Sequence, residues 1–368
     1  MSKPRFFVGI QETGDFTLKL SQGLRELGYE VTNVAIEQKN NPRRQYGIYD
    51  MRIHDRYIRN SNMFVYFYDL AKEFIKNSYS HDIFVFNFAT SFFSAFIPLK
   101  YARTLSYIDL PLLKAMGKKI VFFANGSDLR SYKLLIEEME NAELYSHAKY
   151  MKNDLIDVLS TKGGDESMQK IKAKKLEKYA DHIFTRPNMA QFLARPYHLF
   201  WVPIDLSSIE YRVNQSDEPL IIHAPSSRPV KGTKYVLPTI KKLERDGYKF
   251  MFMLCETMRN DEFRKKLAEA EIVIDQLLLP GHGLLGIEAM ASGNAVLGSA
   301  VPGYNGFSDE LPIITTTPDN IYDNLKIVLE DPELRVELAK RGRRYVEKYH
   351  DYKKVTIDFL EKIDVIEQ

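Results

Sequence analysis

A glycine-rich turn in the second half of the chain carries the strongest chemical signal. Gly281-His282-Gly283 follows the apolar run that ends at Ile274, and a helical pattern opens at Leu284. Glycines let a backbone approach a ligand closely, and the first amides of a helix offer donors with partial positive charge. The turn predicts a site for an anion, most simply a diphosphate. A tight strand-to-helix connection without a ligand is the alternative.

An acid follows this turn at a useful distance. Glu288 lies one helical turn beyond Leu284, where a carboxylate could accept hydrogen bonds from sugar hydroxyls. The glycines of the turn, with Gly286, also spell G-x-G-x-x-G. A dinucleotide site normally opens its domain and has an acid about 20 residues later, whereas 300–304 contain none. A dehydrogenase or epimerase is therefore the weaker interpretation.

A second polar loop follows the predicted strand Leu220–His223. It holds Ser227, Arg228 and Lys231 and precedes a predicted helix, Tyr235–Asp246. Parallel sheets bind ligands at the carboxyl ends of their strands, so these two cations could neutralise a leaving diphosphate. Solvated surface charge is the alternative. The chain contains no Walker loop.

The elements around these loops alternate between strands and helices, which favours parallel sheets covered on both faces. Strands are predicted at 6–10, 31–36, 83–88, 120–124, 183–185, 199–202, 220–223, 250–255, 272–274 and 295–297. Helices are predicted at 17–27, 235–246, 261–270, 284–292, 319–329, 332–349 and 352–366. Thr317 is expected to cap the helix that starts at Asp319. The polar stretch between Pro203 and Pro219 indicates a linker between two such units.

Composition excludes several classes of protein. The 368 residues are 45% hydrophobic and 27% charged, which rules out disorder and low complexity. Lys and Arg number 51 against 49 Asp and Glu, so no chain-wide basic field favours a nucleic acid as partner. Cys255 is the only cysteine, so no internal disulfide forms. The apolar runs are too short to cross a bilayer, and a cytoplasmic protein is expected.

Several segments resemble the retaining GT-B glycosyltransferases, the large glycosyltransferase family 4-like group. Lys231-Gly232-Thr233, residues 281–293 and Leu329-Glu330-Asp331-Pro332 are similar to the donor half of that family. In the first half, residues 109–113 and 126–130 resemble a divergent branch of it. The resemblance covers nearly the whole chain in order.

The resemblance implies an α/β protein of GT-B fold, with two Rossmann-like doubly wound domains facing a cleft. Residues 1–203 would form the acceptor-side domain, 204–349 the nucleotide-sugar domain, and 350–368 a helix returning to the first domain. It further implies sugar transfer from a nucleotide-diphosphate sugar to a glycan, lipid-linked or protein acceptor, as in polysaccharide biosynthesis. No cofactor is expected besides the donor.

The resemblance also implies roles for single residues. Glu288 would hold the ribose, and Lys231 with Arg228 the diphosphate, whose far end would meet the amides of Gly283 and Leu284. The remaining candidates comprise Gly14, which would let the first domain approach the diphosphate, Ser227 in the cation loop, and Asn125, Asp128 and Arg130 on the acceptor side. Replacing Lys231 or Glu288 by Ala is expected to stop turnover and leave stability nearly unchanged.

Three features depart from the family pattern, and one of them is that Arg228 lies only three residues before Lys231, whereas many relatives space these cations more widely. Pro280 stands eight residues before Glu288, where relatives carry a first glutamate, so His282, Asp275 or Gln276 could substitute for it. Asn125 stands where relatives often carry histidine, and an amide cannot shuttle a proton at neutral pH. A catalytically inactive binding or scaffolding protein is therefore the alternative function.

Metal chemistry has no signature in the sequence. No Asp-x-Asp occurs, and the eight histidines show no metal-ligand spacing. Lys231, Arg228 and the helix end would then replace a metal at the diphosphate, where charge develops on the leaving group.

Two clusters of basic residues lie outside these loops. They comprise Arg43, Arg44, Arg52, Arg56 and Arg59, and Lys170, Lys172, Lys174, Lys175 and Lys178 on a helix that ends near Tyr179. Both clusters are explained by basic side chains that are exposed to solvent on the protein surface. The functional alternative is peripheral contact with an anionic membrane or a phosphate-bearing acceptor.

Overall fold

The chain forms two parallel β-sheets flanked by helices in the computed structural model. The structure describes residues 2–12, 14–37, 50–54, 63–94, 106–155 and 166–367, with residues 36–37, 51–54, 63–67 and 69 described by their backbone alone.

Seven parallel strands form the first sheet, in the spatial order β3-β2-β1-β4-β5-β6-β7. Their bounds are β1 Phe6–Gly9, β2 Val31–Glu37, β3 Met51–His54, β4 Ile83–Asn87, β5 Lys119–Phe123, β6 His182–Thr185 and β7 His198–Leu199. Central strands such as β4 are buried along their whole length. They therefore appear in the sequence as continuous apolar runs rather than as alternating patterns.

Six helices lie between β1 and β6 in the part of the chain that the structure describes, and the fourth and fifth of them share a buried cluster with Ile221 and Val236 of the second half. They are α1 Phe16–Glu26, α2 Met63–Ser80, α3 Asp109–Ala115, α4 Tyr132–Asn141, α5 Tyr145–Tyr150 and α6 Glu166–Tyr179, with a π-helical turn at Met151–Leu155 after α5. Glu12 fixes the start of α1, because its carboxylate accepts a hydrogen bond from the amide of Thr17 at 2.9 Å.

Five parallel strands form the second sheet, in the order β12-β11-β10-β8-β9. Their bounds are β8 Leu220–His223, β9 Met251–Leu254, β10 Ile272–Ile274, β11 Ala295–Gly298 and β12 Ile313–Thr315. The helices here are α7 Arg228–Lys231, α8 Thr233–Arg245, α9 Asn260–Glu269, α10 Leu284–Ser292, α11 Ile321–Glu330, α12 Pro332–Tyr349 and α13 Tyr352–Lys362. Strand β8 pairs with β10, so His223 lies opposite Ile274. The loops that follow these two strands therefore meet at one sheet edge.

The last helix returns to the first sheet. Phe359, Leu360 and Ile363 of α13 belong to the same buried cluster as Phe6 and other residues of β1 and α1. Gly23 permits this approach, because a Cβ there would lie 2.1 Å from Oγ1 of Thr356. The predicted crossing of the C-terminal helix is confirmed.

Most predicted elements are present, but the helices α2 to α5 were not predicted, and three further differences occur. The helix after Thr317 begins at Ile321, and Asn320 occupies its N-cap position. The prediction that Thr317 caps this helix is wrong, because the backbone amide of Thr317 instead donates to the Asn320 side chain at 2.8 Å. Strands β3 and β12 were not predicted, and the last helix ends at Lys362 rather than Ile366. Edge strands and fraying helix ends carry weak periodic signals.

His223 joins the two strands that carry the candidate site. Its Nδ1 lies 2.9 Å from the carbonyl oxygen of Ile274, and its Nε2 lies 2.9 Å from the hydroxyl of Thr233. A carbonyl only accepts, so Nδ1 carries the proton and Nε2 accepts from Thr233. This histidine therefore has a structural role, and it fixes the Lys231-Gly232-Thr233 segment.

The stability of the protein is expected to fall in acid through His223. Burial lowers the pKa of His223 from 6.5 to about 4. Between these pH values the unfolded chain binds the extra proton, so stability is lost as the pH falls. Relative to His223→Gln, the wild type is expected to lose about 3 kcal/mol of unfolding free energy across this window. Urea denaturation of both proteins at constant salt measures this, and parallel pH curves would contradict it.

Candidate functional site

The glycine turn lies at the carboxyl end of β10, as the sequence predicts. Gly281 has a φ of +116°, which glycine adopts without strain, and Gly283 is the N-cap of α10. The side-chain amide of Gln276 donates to the carbonyl oxygens of Leu279 at 2.9 Å and Gly281 at 2.8 Å. Gln276 therefore holds the loop in shape.

Lys231 and the start of α10 converge on one carboxylate. The ammonium of Lys231 lies 2.6 Å from Oδ1 of Asp275, and the amide of Gly283 donates to Oδ2 of the same residue at 2.7 Å. The Asp275 side chain is 1% exposed and that of Lys231 10%. A buried carboxylate at the helix N-terminus, beside a cation, shows that this point stabilises negative charge.

From the sequence, Asp275 was expected only as a possible substitute for the missing first glutamate of the family. It lies 44 residues from Lys231, and the pairing of β8 with β10 brings the two together. Its carboxylate accepts the single proton of the Gly283 amide and one proton of the Lys231 ammonium, so the Gly283 amide has no proton left for a diphosphate in this arrangement. The Lys231 ammonium has three protons, and one further hydrogen bond already goes to Oε1 of Gln276 at 3.1 Å.

Glu288 lies near the same end of α10. Its side chain is 15% exposed, and a guanidinium nitrogen of Arg264 lies 3.5 Å from its Oε1. Burial raises the pKa of Glu288, Arg264 opposes this rise, and the negative charge of Asp15 adds to it. The Asp15 effect places the first loop of the N-terminal domain within electrostatic range of Glu288.

Gly14 lies in that first loop, directly against α10. It has a φ of +65°, and a Cβ at this position would lie 2.5 Å from Cδ2 of Leu284. The structure therefore brings Gly14 and Leu284, from opposite domains, into contact at the predicted donor site.

Alanine at position 14 is expected to weaken donor binding as well as stability. Gly14→Ala costs about 1–2 kcal/mol of unfolding free energy through its left-handed backbone, and it must also displace the Leu284 side chain. Gly117→Ala is the matched control, since Gly117 has a φ of +71° and no atom within 4 Å of a Cβ. Equilibrium binding of a nucleotide donor should weaken up to about tenfold for the Gly14 variant alone. Equal binding by both variants would contradict the contact's role.

Arg228 and Ser227 occupy the other side of the cation loop. Arg228 opens the single-turn helix α7, with Ser227 at its N-cap. The guanidinium of Arg228 forms two hydrogen bonds to the carboxylate of Glu256, at 2.6 and 2.5 Å, and the Arg228 side chain is 55% exposed. The structure thus gives Arg228 and Lys231 different surroundings, and only Lys231 is at the glycine turn.

Three predicted acceptor-side residues follow β5. The Asn125 amide group donates to Oδ1 of Asn87 at 2.6 Å, and its backbone amide donates to Asp128 at 3.2 Å. Asp128 is also paired with Lys172 at 3.1 Å, and burial raises the pKa of Asp128. Arg130 is buried, and its Nε donates to the carbonyl oxygen of Asn188 at 2.7 Å.

A cavity of about 200 Å³ lies between the two domains. Asn125 and Arg130 line it from the first domain, and Gly281 to Leu284 line it from the second. His282 faces it with both ring nitrogens unpartnered among the described residues. Burial lowers the pKa of His282 to about 3, so the ring is neutral at physiological pH.

Sequence reasoning missed several other residues of this cavity. They are Arg186, Asn188, Phe307 and His350. Their positions range from 186 to 350 in the chain, and no local pattern distinguishes them. Only the burial of a charged or polar side chain, which a single sequence does not show, would have found them.

The basic clusters fall partly outside the described residues. Arg43, Arg44, Arg56 and Arg59 lie there, and Arg52 is described by its backbone alone. On α6, Lys170 lies 3.8 Å from Glu166, and Lys172 is paired with Asp128. Contact with a membrane stays a prediction. No helix in the described part of the chain has the length and hydropathy to span a bilayer.

The comparisons with known proteins agree with this architecture. Residues 285–361 match a family described as glycosyl transferase-like. Similar solved structures include an alpha-glucosyltransferase in complex with UDP-glucose and DNA containing an abasic site (12% identity, 99% of this chain, 100% of that chain, TM-score 0.62). Sucrose-phosphate synthase from Thermosynechococcus elongatus (15%, 97%, 97%, 0.61) and WaaG, a glycosyltransferase involved in lipopolysaccharide biosynthesis (12%, 98%, 99%, 0.57), are also similar. No curated protein matches the sequence significantly.

The exclusion of nucleic acid as a partner is wrong. Two further structures of an alpha-glucosyltransferase with UDP and a 13-mer DNA have TM-scores of 0.60 and 0.61 to this chain. A net charge of +2 sums both signs over the whole surface, whereas a nucleic acid responds to local positive charge. Whole-chain charge therefore does not exclude this class of partner.

The resemblance predicted from the sequence is confirmed at the level of the GT-B fold. The family match and the full-length structural similarity agree with the two facing sheets. The chain thus has the GT-B fold of the glycosyltransferases that it resembles, with a glycosyl transferase-like segment at residues 285–361.

Proposed function

We propose that the protein transfers a sugar from a nucleoside diphosphate sugar to an acceptor hydroxyl, with retention of configuration. The observation that supports this most is the position of the Lys231 ammonium at the N-terminus of α10, where Asp275 binds both this ammonium and the Gly283 amide. Glu288 lies one turn further along the same helix. Together they offer a diphosphate site followed by a ribose site, in the order that a nucleotide requires.

In this mechanism the bond between the sugar's anomeric carbon and the diphosphate oxygen breaks, and a bond to the acceptor oxygen forms on the same face. The acceptor's proton passes to the leaving diphosphate. Lys231 and the α10 amides stabilise the charge that develops on that leaving group, because they are already in place before reaction. Asp275 is a positioning residue here, since it orients both donors.

We propose that these groups make a divalent metal unnecessary. Among the described residues, no three acidic, histidine or cysteine side chains are grouped to hold a metal ion. The cation that meets the diphosphate would be Lys231, with Arg228 joining if its guanidinium leaves Glu256. Full turnover in excess EDTA is the expected result, and dependence on added Mg²⁺ or Mn²⁺ would contradict it.

The acceptor is proposed to be a glycan, a lipid-linked group, a protein or a nucleic acid. Nucleic acid joins this set because an alpha-glucosyltransferase of similar fold is seen bound to DNA. On the acceptor side of the cleft, Asn125 lines the cavity and offers an amide for hydroxyl groups, whereas Asp128 is paired with Lys172 and is not among the lining residues.

A thermal-shift screen against nucleotide sugars with different bases and sugars tests the donor proposal. A rise in melting temperature with one of them is expected, followed by release of the nucleoside diphosphate when oligosaccharide, lipid-linked, peptide and DNA acceptors are added. Absence of any shift would overturn the proposal.

A binding protein without chemistry is the second candidate. Asn125 lines the cavity with an amide, which cannot transfer a proton at neutral pH, and this observation favours the second candidate. Such a protein would show the thermal shift and would release no nucleoside diphosphate with any acceptor.

A further inference from the structure

Arg186 is a buried cation without a carboxylate partner in the described part of the chain. It follows β6 and is 5% exposed. Its guanidinium makes long hydrogen bonds to the carbonyl oxygens of Asn305 (3.4 Å) and Gly306 (3.3 Å). Burial lowers the pKa of Arg186 to about 10, so it keeps its charge at neutral pH. An unpaired buried charge costs several kcal/mol, roughly, so an anion that enters would be bound strongly.

Two further residues that line the same cavity have buried acceptor atoms without a partner among the described residues. Asn188 is 2% exposed, and its amide nitrogen donates to the Pro280 carbonyl oxygen at 3.0 Å, which leaves its Oδ1 unpartnered. His350 is fully buried, and its Nδ1 donates to the Val202 carbonyl oxygen at 3.0 Å, which leaves its Nε2 unpartnered. Both free atoms accept hydrogen bonds, and they suit hydroxyl groups.

The charges around the cavity have one sign. The side chains that line it include the guanidinium groups of Arg130 and Arg186, and no Asp or Glu is among the described lining residues. Its volume of about 200 Å³ lies below the roughly 300–1,000 Å³ of drug-sized ligand pockets. The cavity therefore suits one small group that carries both negative charge and hydroxyls.

The cavity adjoins the glycine turn. The Arg186 guanidinium lies 4.6 Å from the Phe307 ring, which lies 4.7 Å from the His282 ring. A Cβ on Gly281 would lie 3.3 Å from the same phenylalanine. A group in this cavity is thus next to the position proposed for the diphosphate.

From this arrangement we infer that Arg186, Asn188 and His350 form a subsite for an acidic sugar, in which the guanidinium binds a carboxylate or phosphate and the two acceptors bind hydroxyls. The inference rests on the proposed function and adds to it that one of the substrates carries a negative charge. The anionic group belongs to the donor's sugar or to the acceptor. Arg186 also donates to the carbonyl oxygens of Asn305 and Gly306 from the second domain, so a purely structural contact between the domains is the competing explanation.

Direct binding measurements on the full chain separate these explanations. Without nucleotide, glucuronate and glucose 6-phosphate are titrated against glucose by calorimetry or ligand-detected NMR. The charged sugars should bind at least about tenfold more tightly than glucose, as expected for a charge-assisted hydrogen bond. Arg186→Gln should abolish this preference, and Arg186→Lys should reduce it. Arg195→Gln should preserve it, because Arg195 binds backbone carbonyls of Ala180 and Asp181 outside the cavity.

Two further titrations identify the source of the anion. Tighter binding of UDP-glucuronate than of UDP-glucose assigns it to the donor's sugar. A preference for glucose 6-phosphate over glucose in the presence of UDP assigns it to the acceptor. Either result supports the subsite.

Equal binding of charged and neutral sugars by the wild type overturns the inference, as does a preference that Arg186→Gln leaves unchanged. If Arg186→Gln fails to fold, the wild-type preference and Arg186→Lys decide. Nucleotide binding without any charge preference would overturn the subsite and leave the proposed function standing. A preference for charged sugars without nucleotide binding would support the subsite and overturn the proposed function.

Discussion

Glutamine in place of Glu288 is expected to weaken binding of the nucleotide donor by about 10- to 150-fold, which corresponds to about 1.5–3 kcal/mol for a charged hydrogen bond. The folded protein should lose little stability. Burial raises the pKa of Glu288, so its ionised form is already disfavoured in the folded chain, and the ion pair with Arg264 is partly exposed. Calorimetric titration with the nucleotide sugar from the thermal-shift screen, and urea denaturation, give the two values.

The control for this variant is Glu337→Gln. Glu337 is an exposed glutamate on α12 that pairs with Arg341 at 3.4 Å, so the same substitution removes a comparable ion pair away from the cleft. Its donor affinity should equal that of the wild type. Unchanged affinity in Glu288→Gln would remove Glu288 from the donor site.

Alanine in place of Lys231 is expected to lower both turnover and stability. Loss of one preorganised charge at the leaving group costs about 100- to 1,000-fold in kcat. The same change leaves the buried carboxylate of Asp275 without its cation, which costs about 3–5 kcal/mol of unfolding free energy. The sequence alone suggested that stability would be spared, and the burial of this pair reverses that expectation.

A double variant separates the two effects. Lys231→Met with Asp275→Asn replaces the buried ion pair by neutral groups, and the asparagine oxygen can still accept from the Gly283 amide. Most of the lost stability should return, while turnover stays low. Turnover that recovers together with stability would show that Lys231 only supports the fold.

The sequence predicts the fold well where the signals are local. Buried parallel strands give unbroken apolar runs, and the glycine turn lies between such a strand and a helix. For that reason Gly283, Leu284 and Glu288 are found at the start of α10 as expected. The sequence does not predict the helix start at Ile321 or the edge strands β3 and β12, because tertiary contacts decide where these elements form.

The candidate site is harder to predict because its key contacts cross the chain. Lys231 pairs with Asp275 because β8 lies between β9 and β10 in the sheet. The order of the strands along the chain does not reveal that β8 and β10 are neighbours. Arg186 is surrounded by Trp201 and Phe307, which come from distant segments. The wrong exclusion of nucleic acid has a similar origin, because it used the net charge of the whole chain in place of the local positive charge of a surface.

A crystal structure with an intact nucleotide sugar tests the central claim most directly. The account predicts electron density for the diphosphate between Lys231 and the first amides of α10, with the ribose hydroxyls within hydrogen-bond distance of Glu288. Density for the nucleotide elsewhere, with this pocket free of ligand at saturating concentration, would contradict it.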